Sequence, residues 1–182
     1  MPSPISHAAM GYLIYRASRS RLPEEASRYV GPLPQLLVGS VGLSLLPDVD
    51  SVVGILAGDL GKFHNNLMNS LVFGLAVAAG VGAVVWLTQR SGFKRWFVVA
   101  LVSYELHVLM DFYTLGRGVM LAWPFLADRF EAPVKLFYGL HWSDGLTTPK
   151  HLVTLVTELG LVGFALLISR LLRWSRLIRR QA

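Results

Sequence analysis

Long apolar runs alternate along this chain with short basic, polar or proline-rich breaks. The clearest run, residues 67–87, reads LMNSLVFGLAVAAGVGAVVWL. It is uncharged and long enough to be a bilayer-crossing helix. Spanning helices are also predicted over 96–115 and over 151–169, the latter interrupted by Glu158. A shorter helix is predicted over 5–20, stopping before Pro23, and another over 34–46, ending at Pro47. The second of these is short of the ~20 residues a full span needs. Residues 52–58, VVGILAG, stay apolar but hold two glycines, which weakens a helix there. Gly74, Ala78 and Gly82 recur at helical spacing and form a face that lets two helices approach closely. The segment 116–150 is rich in proline, glycine and aromatics and is expected at the membrane interface, with Trp123 and Trp142 as belt residues. The pattern predicts an all-α fold: a small polytopic membrane bundle forming a single integral domain over 1–182.

Composition agrees. The chain is 53% hydrophobic and 15% charged, against about 25% charged in soluble domains, so an ordinary soluble fold is excluded. The absence of cysteine rules out disulfides and thiolate metal sites. No basic region precedes the first apolar stretch, so a signal peptide is not expected.

The net charge of +6 raises nucleic acid as a partner, but the basic residues flank apolar spans and form no aromatic–basic stripe, so none is expected. Placing 16–30, 89–95 and 170–180 in the cytoplasm puts 4, 3 and 5 basic residues there. Lys62, Arg117, Arg129, Lys135 and Lys150 then lie on the other side. Twelve against five favours this orientation. In this orientation the histidines and aspartates of separate helices, His7, Asp48, Asp50, His64, His107 and Asp111, all fall at the non-cytoplasmic level.

His107 and Asp111 are the sharpest local signal. Residues four apart share a helix face, and ionisable groups inside a membrane need a partner, a cavity or a metal. Asp48 and Asp50 follow Pro47 directly, as a solvated turn or as metal-binding carboxylates. His64 lies just before the 67–87 run, and His7 lies on the first helix with Gly11 leaving its face open. His7, Asp48, Asp50, His64, His107 and Asp111 are the candidate ligands. Their mixed nitrogen and oxygen donors suit zinc, manganese or iron, as one ion or two. Glu105 points away from His107 and is placed to meet Glu158 or Arg117 or to support a ligand from behind. Glu158 is read mainly as a packing or interhelical hydrogen-bonding group. Asn69 can donate to a substrate oxygen or to a ligand. Arg117 is read as an interfacial arginine or a phosphate partner. His141 to Asp144 form a small polar–aromatic patch, and His151 reads as an interface residue.

The stretches SHAAMG, SLLPDVDSVVGILAGDLGKFHNNLMNS, HVLMDFYTLGRGVMLAWPF and LHWSDG, spread over residues 6–145, resemble a family. It is the membrane-bound metal-dependent hydrolases that include the YdjM-like inner-membrane proteins. More distantly, that family is similar to zinc phospholipase C and P1 nuclease. By this resemblance His7, Asp48 or Asp50, His64, His107 and Asp111 hold a divalent metal centre, zinc favoured, in the cell's inner membrane. The implied activity is phosphate-ester hydrolysis, with metal lowering the pKa of water toward neutrality. Asp48, Asp50 and Asn69 are the expected catalytic residues, one aspartate taking the nucleophile's proton. A site at the membrane surface suits a lipid or lipid-linked substrate. The family commonly has a second histidine where this chain has Asn69. That departure leaves open a mononuclear centre, lost catalysis, or an Asn69 that orients a phosphate oxygen. A non-catalytic protein with a structural or degenerate metal site, an ion- or proton-coupled transporter and a small interaction subunit stand as alternatives. Glycine-rich faces serve dimers and intrachain packing alike, so the oligomeric state stays open.

Overall fold

The computed structural model describes residues 2–19, 33–58, 64–141 and 148–181, the stretch after 171 as helical backbone only. Among these residues it is helical, with α1 (Pro4–Arg19), α2 (Leu33–Leu45), α3 (Val49–Leu56), α4 (Leu71–Gln89), α5 (Phe93–Phe112) and α6 (Lys150–Gln181). No strand occurs among the described residues. The irregular segment after α5 is tied by isolated bridges between Thr114 and Phe137 and between Val119 and Phe130. Lys62, Trp142, Ser143, Asp144, Arg21 and Arg28 lie outside the described residues.

The helices run up and down because small residues let them meet closely. A Cβ on Gly11 would lie 2.8 Å from both Ser40 O and Val41 Cα, so α1 and α2 touch backbone to backbone there. A Cβ on Gly74 would lie 2.8 Å from Tyr104 Cδ1, and one on Gly82 3.1 Å from the Phe93 ring. Gly74 therefore meets the second half of α5 and Gly82 its start, which makes α4 and α5 antiparallel, with Ala78 buried between. Leu43, Ala78 and Ala100 form one apolar cluster, and Tyr15, Leu36, Trp96 and Val99 form another.

Pro47 does not end the second apolar run. It sits in the first turn of a 3-10 segment, Leu46–Asp48, where a missing N–H leaves no bond unmade, and the chain continues into α3. The stretches 34–46 and 52–58 therefore join in one candidate span, Gln35–Leu56. Leu71–Gln89 and Lys150–Leu171 are the other helices among the described residues long and apolar enough to cross a membrane. The run 96–115 forms α5, which is not one of them. Lys94, Arg95, Glu105, His107 and Asp111 dilute its apolar content, and it is instead packed against α1, α2 and α4.

Glu158 is 2% exposed, and its partner is α1. Its carboxylate accepts from Ser3 N at 2.7 Å, from Ser6 Oγ at 2.6 Å and from Ser3 Oγ. A carboxylate at the start of α1 matches the free N–H groups and positive dipole end of that helix. Glu105, expected to meet Glu158 or Arg117, instead lies against Gly74. One end of the bundle thus gathers the starts of α1, α4 and α6 and the ends of α2 and α5. Arg16 and Arg19 at the end of α1, and Arg90, Lys94 and Arg95 around the α4–α5 turn, occupy the opposite end.

Candidate metal centre

Four chain segments deliver the site. The first turns of α1 carry His7, and the 3-10 turn after α2 carries Asp48. The turn before α4 carries His64, and the last turns of α5 carry His107 and Asp111. His7, His107 and Asp111 are 0%, 1% and 2% exposed, a depth at which water cannot solvate them.

The two imidazoles stack, ring centres 3.7 Å apart and planes 19° from parallel. This aligns their edges on one carboxylate. His107 Nε2 is 3.4 Å from Asp111 Oδ2, and His7 Nε2 is 3.7 Å from Asp111 Oδ1. His107 Nε2 also lies 3.6 Å from Asp48 Oδ1. His107 Nδ1 is 2.7 Å from the Ser44 carbonyl, an acceptor, so Nδ1 carries the proton and Nε2 of the neutral ring presents a lone pair. That lone pair faces two carboxylates. The arrangement is repulsive unless a metal ion, or a proton on that nitrogen, stands among them.

His64 is oriented in the same way. Its Nδ1 is 3.2 Å from Asp50 Oδ1 and 2.6 Å from Ser51 Oγ, which leaves Nε2 free. A carboxylate behind an imidazole fixes its tautomer and raises its basicity as a ligand. Asp48 and Asp50, two residues apart, therefore diverge. Asp48 faces His107, and Asp50 backs His64.

Two sets of donor atoms could hold a metal: His7, Asp48 and His107, and Asp48, His64 and Asp111, each set within 4.8 Å. Asp50 belongs to neither. Whether the residues fit an ion can be tested on their unmade bonds. His7 Nε2, both Asp48 carboxylate oxygens, His64 Nε2, His107 Nε2 and Asp111 Oδ1 are buried without a hydrogen-bond partner. Buried polar atoms are normally paired, and orphans converging from four segments fit a cation.

Asn69, fully buried, donates through Nδ2 to Asn65 Oδ1 at 2.7 Å and to Asp111 Oδ2 at 3.1 Å. Its amide hydrogens are directed at protein acceptors, and it holds Asp111. Tyr104 OH donates to Met68 O at 2.6 Å and anchors the turn that carries Asn69.

Several contributors were not legible as such. Ser44 accepts from His107 and donates through Oγ to the His7 carbonyl at 2.9 Å, which ties α2 to α1 beside the ligands. Its signal was its place four residues before Asp48. Ser51 follows Asp50 directly. Asn65 takes a left-handed φ of 57°, a conformation asparagine tolerates better than most residues. Arg129, counted only as a basic residue, donates to the carbonyls of Asn65 at 2.9 Å and Gly118 at 3.2 Å. Arg117 lies beside His64, donating to its carbonyl. His141 stands apart, bonded to the Tyr138 carbonyl at 3.0 Å.

No solved structure matches the chain. It is 29% identical to the inner membrane protein YbcI of Escherichia coli (strain K12) over 182 residues, covering 97% of this chain and 99% of that protein. The family profile described as YdjM inner membrane protein matches residues 1–181. With its apolar helices and buried His/Asp groups, this integral membrane protein belongs to the YdjM inner membrane protein family.

Proposed function

We propose that this chain is a membrane-embedded metal-dependent hydrolase acting on the phosphate ester of a lipid or lipid-linked substrate at the bilayer surface. The observation that carries the reading is the convergence of unpartnered imidazole nitrogens and carboxylate oxygens from His7, Asp48, His64, His107 and Asp111. These residues would hold one or two divalent ions, zinc favoured for its affinity for mixed imidazole and carboxylate sites, with manganese or iron as alternatives. Asp48 belongs to both donor sets, the place a carboxylate shared by two ions would take. A bound ion supplies Lewis acidity and a hydrolytic nucleophile at neutral pH.

The rest is work for the protein's own groups. Ser44 and Asp50 fix the imidazole tautomers, Asn69 orients Asp111, and the helices exclude water from the ligands' inner side. Asp48 is the most accessible of the set, with a side chain 12% exposed, so approach is from its side. With Asp48 in both donor sets, Asp50 is the aspartate left for a proton, and it is hydrogen-bonded to His64. The basic turn and helix ends lie at the opposite end of the bundle, which by the positive-inside rule favours a site at the non-cytoplasmic surface.

A second reading, a metal held only for structure, draws on the deep burial of His7, His107 and Asp111. Elemental analysis of detergent-purified protein tests both. One or two ions per chain are expected, lost in His107→Ala and Asp111→Ala, together with metal-dependent turnover in a phosphoester and phospholipid screen. Full metal content without turnover on any phosphoester would favour the structural reading. No metal after reconstitution with zinc or manganese would sink both.

A further inference from the structure

Beside the ligands stand two arginines that the metal centre does not use. Arg117 donates to the carbonyl of His64, and Arg129 to the carbonyl of the next residue, Asn65, and to the Asn66 side chain. Consecutive carbonyls of one turn therefore bring two guanidinium groups together. Among the described residues neither has a carboxylate within ion-pair distance, although the pair Lys135–Glu131 forms in the same segment. Burial first, and then the Arg117 charge, pull the Arg129 guanidinium below its usual pKa. The Asp50 carboxylate offsets part of this charge from a distance, but among the described residues it forms no ion pair with either arginine.

The loop between them has its own character. The bridge of Val119 with Phe130 closes it at the base, next to both arginines. Its tip is Leu121 to Ala127, with Phe125 80% and Leu126 50% exposed. Leu71 N donates to Leu121 O at 3.1 Å, which fixes the tip at the first residue of a candidate membrane span. An apolar tip and a cationic base on one loop match the layering of a bilayer surface, with acyl chains below and phosphates above.

We propose that Arg117 and Arg129 form a subsite for the phosphate group of a membrane lipid, with the Phe125 tip seated among the acyl chains beside it. The proposal rests on the hydrolase reading for its purpose, since it names the substrate class, but the binding itself does not run through a metal. Arg117 is exposed, and among the described residues only the His64 carbonyl accepts from it, so it is the group that reaches the phosphate. Arg129, held by three protein acceptors, keeps the turn and its partner in place.

The test uses the full chain in detergent, stripped of metal with a chelator. Its probes are a short-chain phosphatidic acid, the diacylglycerol of the same chains, and inorganic phosphate. Wild type should prefer phosphatidic acid to diacylglycerol. Arg117→Gln keeps an N–H for the His64 carbonyl and should lose about tenfold of that preference, the value of one charge-assisted contact. Arg117→Lys, with charge but no fork, should fall between the two. Phe125→Ser should weaken both lipids and leave phosphate binding unchanged. An undiminished preference in Arg117→Gln and Arg117→Lys would overturn the subsite. Inorganic phosphate competing as well as phosphatidic acid would overturn the lipid as its source. A wild type that binds phosphatidic acid selectively yet takes up no metal would sink the hydrolase reading and leave the subsite standing.

Discussion

The two ends of this bundle use the same helices and the same close contacts, yet bury opposite chemistry. At one end Tyr15, Leu36, Trp96 and Val99 pack into an apolar cluster beside the basic turn. At the other, His7, His107 and Asp111 are buried as deeply but carry unpaired nitrogen and oxygen atoms. In lipid, apolar side chains stabilise helix contacts by fit and not by leaving water. Unpaired polar groups cost about 1–3 kcal/mol each in a protein interior, and no bilayer water relieves them. The apolar end holds the bundle together. The polar end carries a cost that a bound cation would offset.

The largest effects should separate the ends. His107→Ala removes a candidate ligand and should weaken metal binding by more than about 100-fold, above the range for outer-shell losses, while leaving the helices folded. Leu36→Ala should lower stability by about 2–5 kcal/mol and leave metal stoichiometry unchanged. Melting curves and elemental analysis on the same two preparations read both quantities. Equal metal loss in Leu36→Ala would mean that the ends are one cooperative unit.

Gly11 joins the two ends. An added methyl would press on Ser40 and Val41 backbone and on Ser44 Oγ, 2.5 Å away, none of which can swing aside freely. Gly11→Ala should therefore cost about 1–3 kcal/mol, the usual range for overpacking, and push α1 from α2 one turn beyond His7. The expected signature is a lower melting temperature together with weaker metal affinity. A lower melting temperature with native affinity would show that His7 is not held by this contact.

How much of this was legible depended on distance along the chain. The uncharged run at 67–87 names a helix by itself, and the small-residue face of Gly74, Ala78 and Gly82 packs on α5 because helical spacing fixes which residues share a face. His107 and Asp111 share a face for the same local reason. The bend at Pro47 is ambiguous in sequence because a proline that ends one helix is equally at home in the first turn of the next, and the choice depends on the apolar residues after it. The burial of α5 could not be read from its own composition, since it follows from three neighbours. Partners far apart in sequence were illegible: Glu158 with Ser3 and Ser6, Arg129 with Asn65, and His107 with the Ser44 carbonyl. Asp48 and Asp50 read as equivalent carboxylates, but residues two apart at the start of a helix point to opposite sides, and only their distant partners, His107 and His64, tell them apart.

The smallest expected effect is the most discriminating, because its sign reverses. Both Asp48 oxygens are buried without a hydrogen-bond partner. In chelated protein this carboxylate and that of Asp111 flank a single imidazole edge, that of His107. Asp48→Asn removes one of those charges while keeping the side chain's shape. It should relieve about 1 kcal/mol and raise the melting temperature of stripped protein by roughly 2–4 °C. In metal-loaded protein the same substitution removes a donor shared by both ligand sets, and the melting temperature should fall below that of wild type. Opposite signs under the two conditions would mark Asp48 as a group that destabilises the fold until an ion arrives. The same sign in both would make it an ordinary turn residue and remove it from the centre.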